Sequence, residues 1–140
     1  MKRSLLLFAA TALCFGAALS QARADEVVYI EKAKVVPGTL ATGTDHIVSV
    51  SRRDKAGQSE VHENETDVFH VISGSATFVT GGTVVDGKTT GPGQIRGSGI
   101  NGGKTHSLKA GDVITIPKGT PHWFKEVPTE VVYFVVKAKS

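Results

Sequence analysis

Cysteine is nearly missing from this 140-residue chain. Its single Cys14 lies in an N-terminal apolar stretch, so the body of the protein has no disulfide, no thiolate ligand and no cysteine nucleophile. Beyond that stretch no apolar run is long enough to span a bilayer. An excess of one charge is missing too. Sixteen Lys and Arg face thirteen Asp and Glu, but Lys2, Arg3 and Arg23 belong to the N-terminal stretch, and without them thirteen cations meet thirteen anions. The basic balance of the whole chain therefore belongs to its first residues. The body of the protein carries no electrostatic footprint for nucleic acid or an anionic membrane surface. No segment after the N-terminal stretch shows the period of an amphipathic helix.

The N-terminal stretch itself is informative. Lys2 and Arg3, an apolar run from Leu5 to Leu19 and the small-residue sequence Ala22-Arg23-Ala24 read as a secretory signal peptide over residues 1–24, cut after Ala24. The apolar run is too short and Ala-rich to prefer a permanent span. Leu13 precedes Cys14 where a lipoprotein cleavage site would carry something small. Twin arginines are absent, which points to the general secretion route and to uptake of any metal after export. The expected location is periplasmic or secreted, and residues 25–140 suffice for one domain with a single core.

That domain reads as all-β. The runs "EVVYI", "DHIVSVS", "SEVH", "DVFHVI", "ATFVT", "GDVITIP" and "TEVVYFVV" are rich in β-branched and aromatic residues and bounded by Gly, Pro, Asn and Asp. Short strands at this spacing predict a sandwich or barrel. Residues 86–105, "DGKTTGPGQIRGSGINGGKT", are so rich in Gly and poor in apolar residues that they are expected to form a long loop, a candidate lid with Arg96 as its arginine. In "DVFHVI", Asp67, Phe69 and Val71 share one face and Val68, His70 and Ile72 the other, and "VVYFVV" is likewise apolar on both faces. A second layer or a second subunit is needed to cover the outer face, and a homodimer is the expectation.

Two segments carry a pattern: "GQSEVHENETDVFHVISG", residues 57–74, and "GDVITIPKGTPHWFKE", residues 111–126. Together they resemble the paired motifs of the cupin superfamily. Gly111, Pro117, Gly119 and His122 match the second motif at its intervals, with Glu126 where Asn is usual. Gly57, His62 and Gly74 match the first, with Glu60 in the first His position and Asp67 in the Glu position. The resemblance implies a double-stranded β-helix, the jelly-roll barrel of two facing sheets, and a metal site in which two of the four usual ligands are altered.

A site can also be argued from the residues alone. Glu60 and His62, two apart on a strand, project from one face; the turn "ENET" resets the parity so that Asp67 can face inward, and His122 follows a Pro-Lys-Gly-Thr-Pro turn. Two imidazoles and one or two carboxylates suit a divalent transition ion, and Fe, Mn, Zn, Ni or Cu would accept the same donors. Glu60 and Asp67 are the candidate general bases. Against this stand a solvated Glu60 at the rim and an Asp67 one methylene too short to reach an ion.

Other residues have plainer expectations. His106 reads as a buried hydrogen-bonding histidine, His70 as a sheet-interface residue, and His46 has no evident partner. Phe69 and Phe124 read as cavity wall or core, and Trp123 as packing that points away from the ion. Arg52, Arg53 and Lys55, beside Asp54, read as a solvated turn, the alternative being contact with an anionic substrate near the barrel mouth. Glu126 is a candidate to support the ligands from behind. The functional expectation is a metal-binding barrel acting on a small organic molecule; the competing one is a non-catalytic module that binds a small molecule or metal.

Overall fold

Short β-branched and aromatic runs cut by glycine and proline favour strands, and strands are what form. The computed structural model describes residues 26–140; the expected signal peptide and Cys14 lie outside the described residues. After one 3-10 turn at Lys32–Lys34 the strands are β1 (Gly38–Thr42), β2 (His46–Arg53), β3 (Ser59–His62), β4 (Glu65–Thr80), β5 (Thr83–Val85) and β6 (Lys88–Gly91). They continue as β7 (Gln94–Gly97), β8 (Gly99–Asn101), β9 (Lys104–Lys109), β10 (Val113–Ile116), β11 (His122–Glu126) and β12 (Val131–Lys139).

The sixteen-residue β4 joins two antiparallel sheets. Its first part pairs with β12 and β10, and its last part with β11 and β9. One sheet thus runs β1-β2-β12-β4-β10 and the other β9-β4-β11-β3-β7-β6, with β5 and β8 forming a small ribbon. The handover falls at Gly74, whose φ is +78°. A Cβ there would stand 1.9 Å from the carbonyl oxygen of Glu130, so only glycine lets the strand pass. The runs "DVFHVI" and "ATFVT" are therefore two parts of one strand.

The expected alternation holds on the inner faces. Phe69, Val71, Tyr133 and Val135 from one sheet meet Ala76, Phe78, Leu108 and Phe124 from the other in a buried cluster. Phe69 lies 6.0 Å from Phe78, and Phe124 lies 5.0 Å from Tyr133, centroid to centroid. This aromatic plug fills the middle of the barrel and forms the floor under the polar end.

Two expectations fail. "EVVYI" joins no sheet among the described residues; Val27 and Tyr29 are exposed, and the segment runs outside the barrel toward Leu40 and Phe134. Its residues have β propensity, but they make no ladder with β1, the edge strand they lie beside. The Gly-rich residues 86–105 are not a long loop: they hold β6, β7, β8 and the start of β9. Strands with one wet face need few apolar anchors, here Ile95 and Ile100, and the glycines serve tight turns and close approach. Gly97 is the clearest case, since a Cβ on it would meet Val84 Cγ1 and the Val85 carbonyl oxygen at 2.4 Å.

Candidate metal centre

Strand register gathers the polar cluster. Glu60 of β3 pairs with His122 of β11, His62 pairs with Gln94 of β7, and Asp67 of β4 pairs with Lys137 of β12. Paired residues share a face, so all six side chains belong to the barrel interior. The turn between β10 and β11 is locked by the amide of Gly119, which donates to the carbonyl of His62 at 2.7 Å and thereby fastens the two histidine segments together.

His62 Nε2 lies 3.4 Å from Glu60 Oε2 and 3.5 Å from Asp67 Oδ2. His122 Nε2 lies 3.9 Å from each of the same two oxygens. An ion bonded to such donors at about 2.1 Å spaces neighbouring ligands by roughly 3.0 to 3.4 Å, so small rotations would close the set. Glu60, His62 and His122 form one group able to hold an ion, and His62, Glu65 and Asp67 another.

Both imidazoles are oriented from behind. His62 Nδ1 donates to Gln94 Oε1 at 2.5 Å, and Gln94 Nε2 in turn donates to Glu65 Oε2 at 3.3 Å. His122 Nδ1 donates to the carbonyl of Thr120 at 3.1 Å. Each contact leaves Nε2 as the atom with the lone pair, facing the cluster. His122 Nε2 is buried and has no hydrogen-bond partner. Native structures seldom leave such an acceptor bare, and the donor set around it fits a divalent ion.

Electrostatics separates the residues. Burial holds His122 below the usual imidazole range, which keeps Nε2 unprotonated and able to ligate. Burial also works against His62 charging, but the Glu60 carboxylate beside it and the charge of Asp67 outweigh that and raise it. For Glu60, burial opposes ionisation; the hydrogen bond with His62 and the charges of Arg96 and Arg53 prevail and bring its carboxyl to about 2.

The cations come from residues that strand patterning overlooks. Lys137 Nζ donates to both oxygens of Asp67, at 2.8 and 3.0 Å, and lies 3.4 Å from Glu65 Oε2. Its parity with Tyr133 and Val135 was readable, but a lysine near a strand end is ordinarily taken as solvated. Arg53 is not part of a solvated turn. Its Nε donates to the Tyr133 hydroxyl at 3.0 Å, its Nη2 donates to Glu60 Oε1 at 3.2 Å, and its guanidinium sits 4.9 Å from the centre of the Phe124 ring. Arg52, one residue earlier and on the other face, pairs outside with Glu130. Arg96, expected on a lid, is fixed in β7, where Nη1 donates to Glu60 Oε1.

The other expectations divide. Glu126 supports nothing in the cluster: a bulge between Phe124 and Glu126 breaks the alternation, and its carboxylate accepts from Thr77 Oγ1 on the exposed side. His106 is half-buried and shares a 2.8 Å hydrogen bond with Thr80 Oγ1. His70 is exposed on the outer face, and His46 pairs with the neighbouring Asp45. Phe69 and Phe124 line the cavity. Trp123 gives its indole N–H to the carbonyl of Gly57 at 2.8 Å and borders the cavity at its rim.

Two facing antiparallel sheets with a histidine–carboxylate cluster at one end define a double-stranded β-helix whose interior can hold a metal. The family model described as cupin matches residues 21–140, and the chain belongs to the cupin superfamily. Among solved structures it resembles BH2720 from Bacillus halodurans, with a TM-score of 0.54 and 15% identity over 73% of this chain and 68% of that one. A cupin-2 domain protein from Shewanella frigidimarina gives 0.50 and 17%, over 74% and 80%. The cupin domain structure of Cnp3 from Schizosaccharomyces pombe gives 0.53 and 12% over 74% of this chain; the chain spans only 59% of that one. At these identities the likeness shows the fold alone. No curated protein matches the sequence.

Proposed function

We propose that this cupin binds a divalent transition ion through His62, His122 and Glu60, with Asp67 as a further donor, and acts on a small organic molecule beside it. The buried, unpartnered Nε2 of His122, facing two carboxylates, is the observation that carries this reading. The ion would supply Lewis-acid polarisation of a ligand oxygen. The chain's own residues do the rest. Gln94 and the Thr120 carbonyl orient the imidazoles, and the aromatic floor keeps bulk water from below. Glu60, with a carboxyl at about 2, serves as a ligand and not as a proton acceptor near neutral pH.

Elemental analysis of protein recovered from the periplasm, followed by zinc, manganese and iron uptake by stripped protein, tests the reading. About one ion per chain is expected, lost in a His62→Ala, His122→Ala pair. Absence of metal together with absence of uptake refutes it.

A second reading, a non-catalytic binding module, draws on a different observation. Each carboxylate of the cluster already faces a permanent cation: Glu60 faces Arg53 and Arg96, and Asp67 and Glu65 face Lys137. Such a cluster is charge-balanced without an ion. Ligand binding that survives loss of both histidines would favour it.

Export and dimerisation belong to the same proposal. The signal-like sequence supports delivery to the periplasm or beyond. Val113 and Ile72, 65% and 44% exposed on the outer faces of β10 and β4, support pairing with a second copy.

A further inference from the structure

Two guanidinium groups converge on one oxygen of a carboxylate whose other oxygen faces the imidazoles. Arg53 Nη2 and Arg96 Nη1 both donate to Glu60 Oε1, whereas Oε2 lies 3.4 Å from His62 Nε2. The arginines reach this point from different sheets, Arg53 from the end of β2 and Arg96 from β7. Neither is consumed there. A guanidinium carries five N–H donors, and among the described residues Arg96 places only Nη1 on a side-chain acceptor, and Arg53 only Nε and Nη2. Both arginines line a cavity of about 180 Å³ that Phe69, Phe124 and Val135 also line, with the Arg53 guanidinium lying over the Phe124 ring.

The charge count gives these donors a purpose. Glu60, Glu65 and Asp67 balance Arg53, Arg96 and Lys137 before any ion is present. A divalent ion on neutral imidazoles leaves two positive charges uncompensated beside half-buried carboxylates, an arrangement that is costly until an anion joins it. The cavity is small: an engineered apolar cavity of about 150 Å³ holds one benzene.

Resting on the reading that the centre holds a divalent ion, we propose that the ligand is a small carboxylic acid with an apolar body. Its carboxylate is received by Arg53 and Arg96 beside Glu60, and its body lies against the aromatic wall. The forked geometry of two guanidinium groups suits a planar carboxylate.

Benzoate, with benzyl alcohol as its neutral counterpart, is the probe. Each is titrated by calorimetry into the mature chain, zinc-loaded and zinc-free, with zinc content measured separately. Zinc-loaded protein should bind benzoate at least about tenfold more tightly than benzyl alcohol, the scale of one charge-assisted hydrogen bond. Arg96→Gln, compared with the parent at saturating zinc, should lose about tenfold in benzoate affinity and far less in affinity for the alcohol. Should that variant melt early, Arg96→Lys decides: it keeps the charge without the fork and should still weaken benzoate several-fold. Equal binding of the two probes, or benzoate affinity indifferent to Arg96, overturns the proposal. If zinc is not taken up, the metal reading fails by itself. The carboxylate site then stands only if zinc-free protein still prefers benzoate in an Arg96-dependent way, and falls otherwise.

Discussion

A bare buried acceptor such as Nε2 of His122 forfeits about 1–3 kcal/mol, which bound metal would recover. His122→Leu should therefore unfold within about 1 kcal/mol of the metal-free parent in urea while losing zinc uptake, a separation of stability from binding that marks a functional residue. Lys137 is the opposite case. Its ammonium is the partner of Asp67, which is only 2% exposed, and Lys137→Met should cost the metal-free protein about 3 kcal/mol by urea unfolding, with much of that restored by zinc. Glu60 sets a pH dependence. Its folded carboxyl, at about 2, lies below its ordinary 4.5, so the stabilisation is complete above 4.5 and is lost as pH falls toward 2. That difference amounts to on the order of 3 kcal/mol, and thermal melts of metal-free Glu60→Gln should show a flatter acid limb than the parent. His62, Glu60 and His122 could be found in the sequence because they sit on strands of fixed alternation beside a recognisable turn. Lys137, Glu65, Gln94 and Arg53 could not, since whether a cation at a strand end turns inward depends on which carboxylate waits on the neighbouring strand. That is a matter of register and not of local pattern.

The elements most clearly legible were the long apolar ones, β4 and β12, whose inner faces make the aromatic plug. Phe78→Ala, at the centre of that plug, should cost about 3–5 kcal/mol by denaturant unfolding. The least legible were β6, β7 and β8, hidden in a Gly-rich sequence because glycine in a strand looks like glycine in a loop until a neighbour is seen pressing on it. Gly97 distinguishes the two. If it served mere flexibility, Gly97→Ala would be neutral. Because Val84 and the Val85 carbonyl would be struck, about 1–3 kcal/mol of stability should be lost, and benzoate affinity should drop with it as Arg96 moves. The bulge in β11 is illegible for a similar reason: one extra residue inverts the direction of Glu126, and nothing in "HWFKE" announces it.

At the level of the molecule, one long strand crossing between two sheets makes the barrel a single cooperative unit, with its polar end supported by hydrogen bonds from turns and its outer faces unevenly covered. The all-β class and the cupin fold were readable from composition and from the two motifs. The outer face was not: Ile72 and Val113 stand exposed on it, while residues 26–35 lie beside Leu40 and Phe134. Dimerisation predicts that light scattering at micromolar concentration finds twice the mass of one chain and that a Val113→Asp, Ile72→Asp pair halves it. Export predicts an intact mass for the periplasmic product that begins at Asp25. Trp123, the sole tryptophan of the chain, is tethered to Gly57 and set at the cavity mouth. Its fluorescence comes from one known place, so a change in emission colour or quenching on adding an ion or a carboxylate reports events in the cavity. The protein carries its own optical gauge and needs no attached dye.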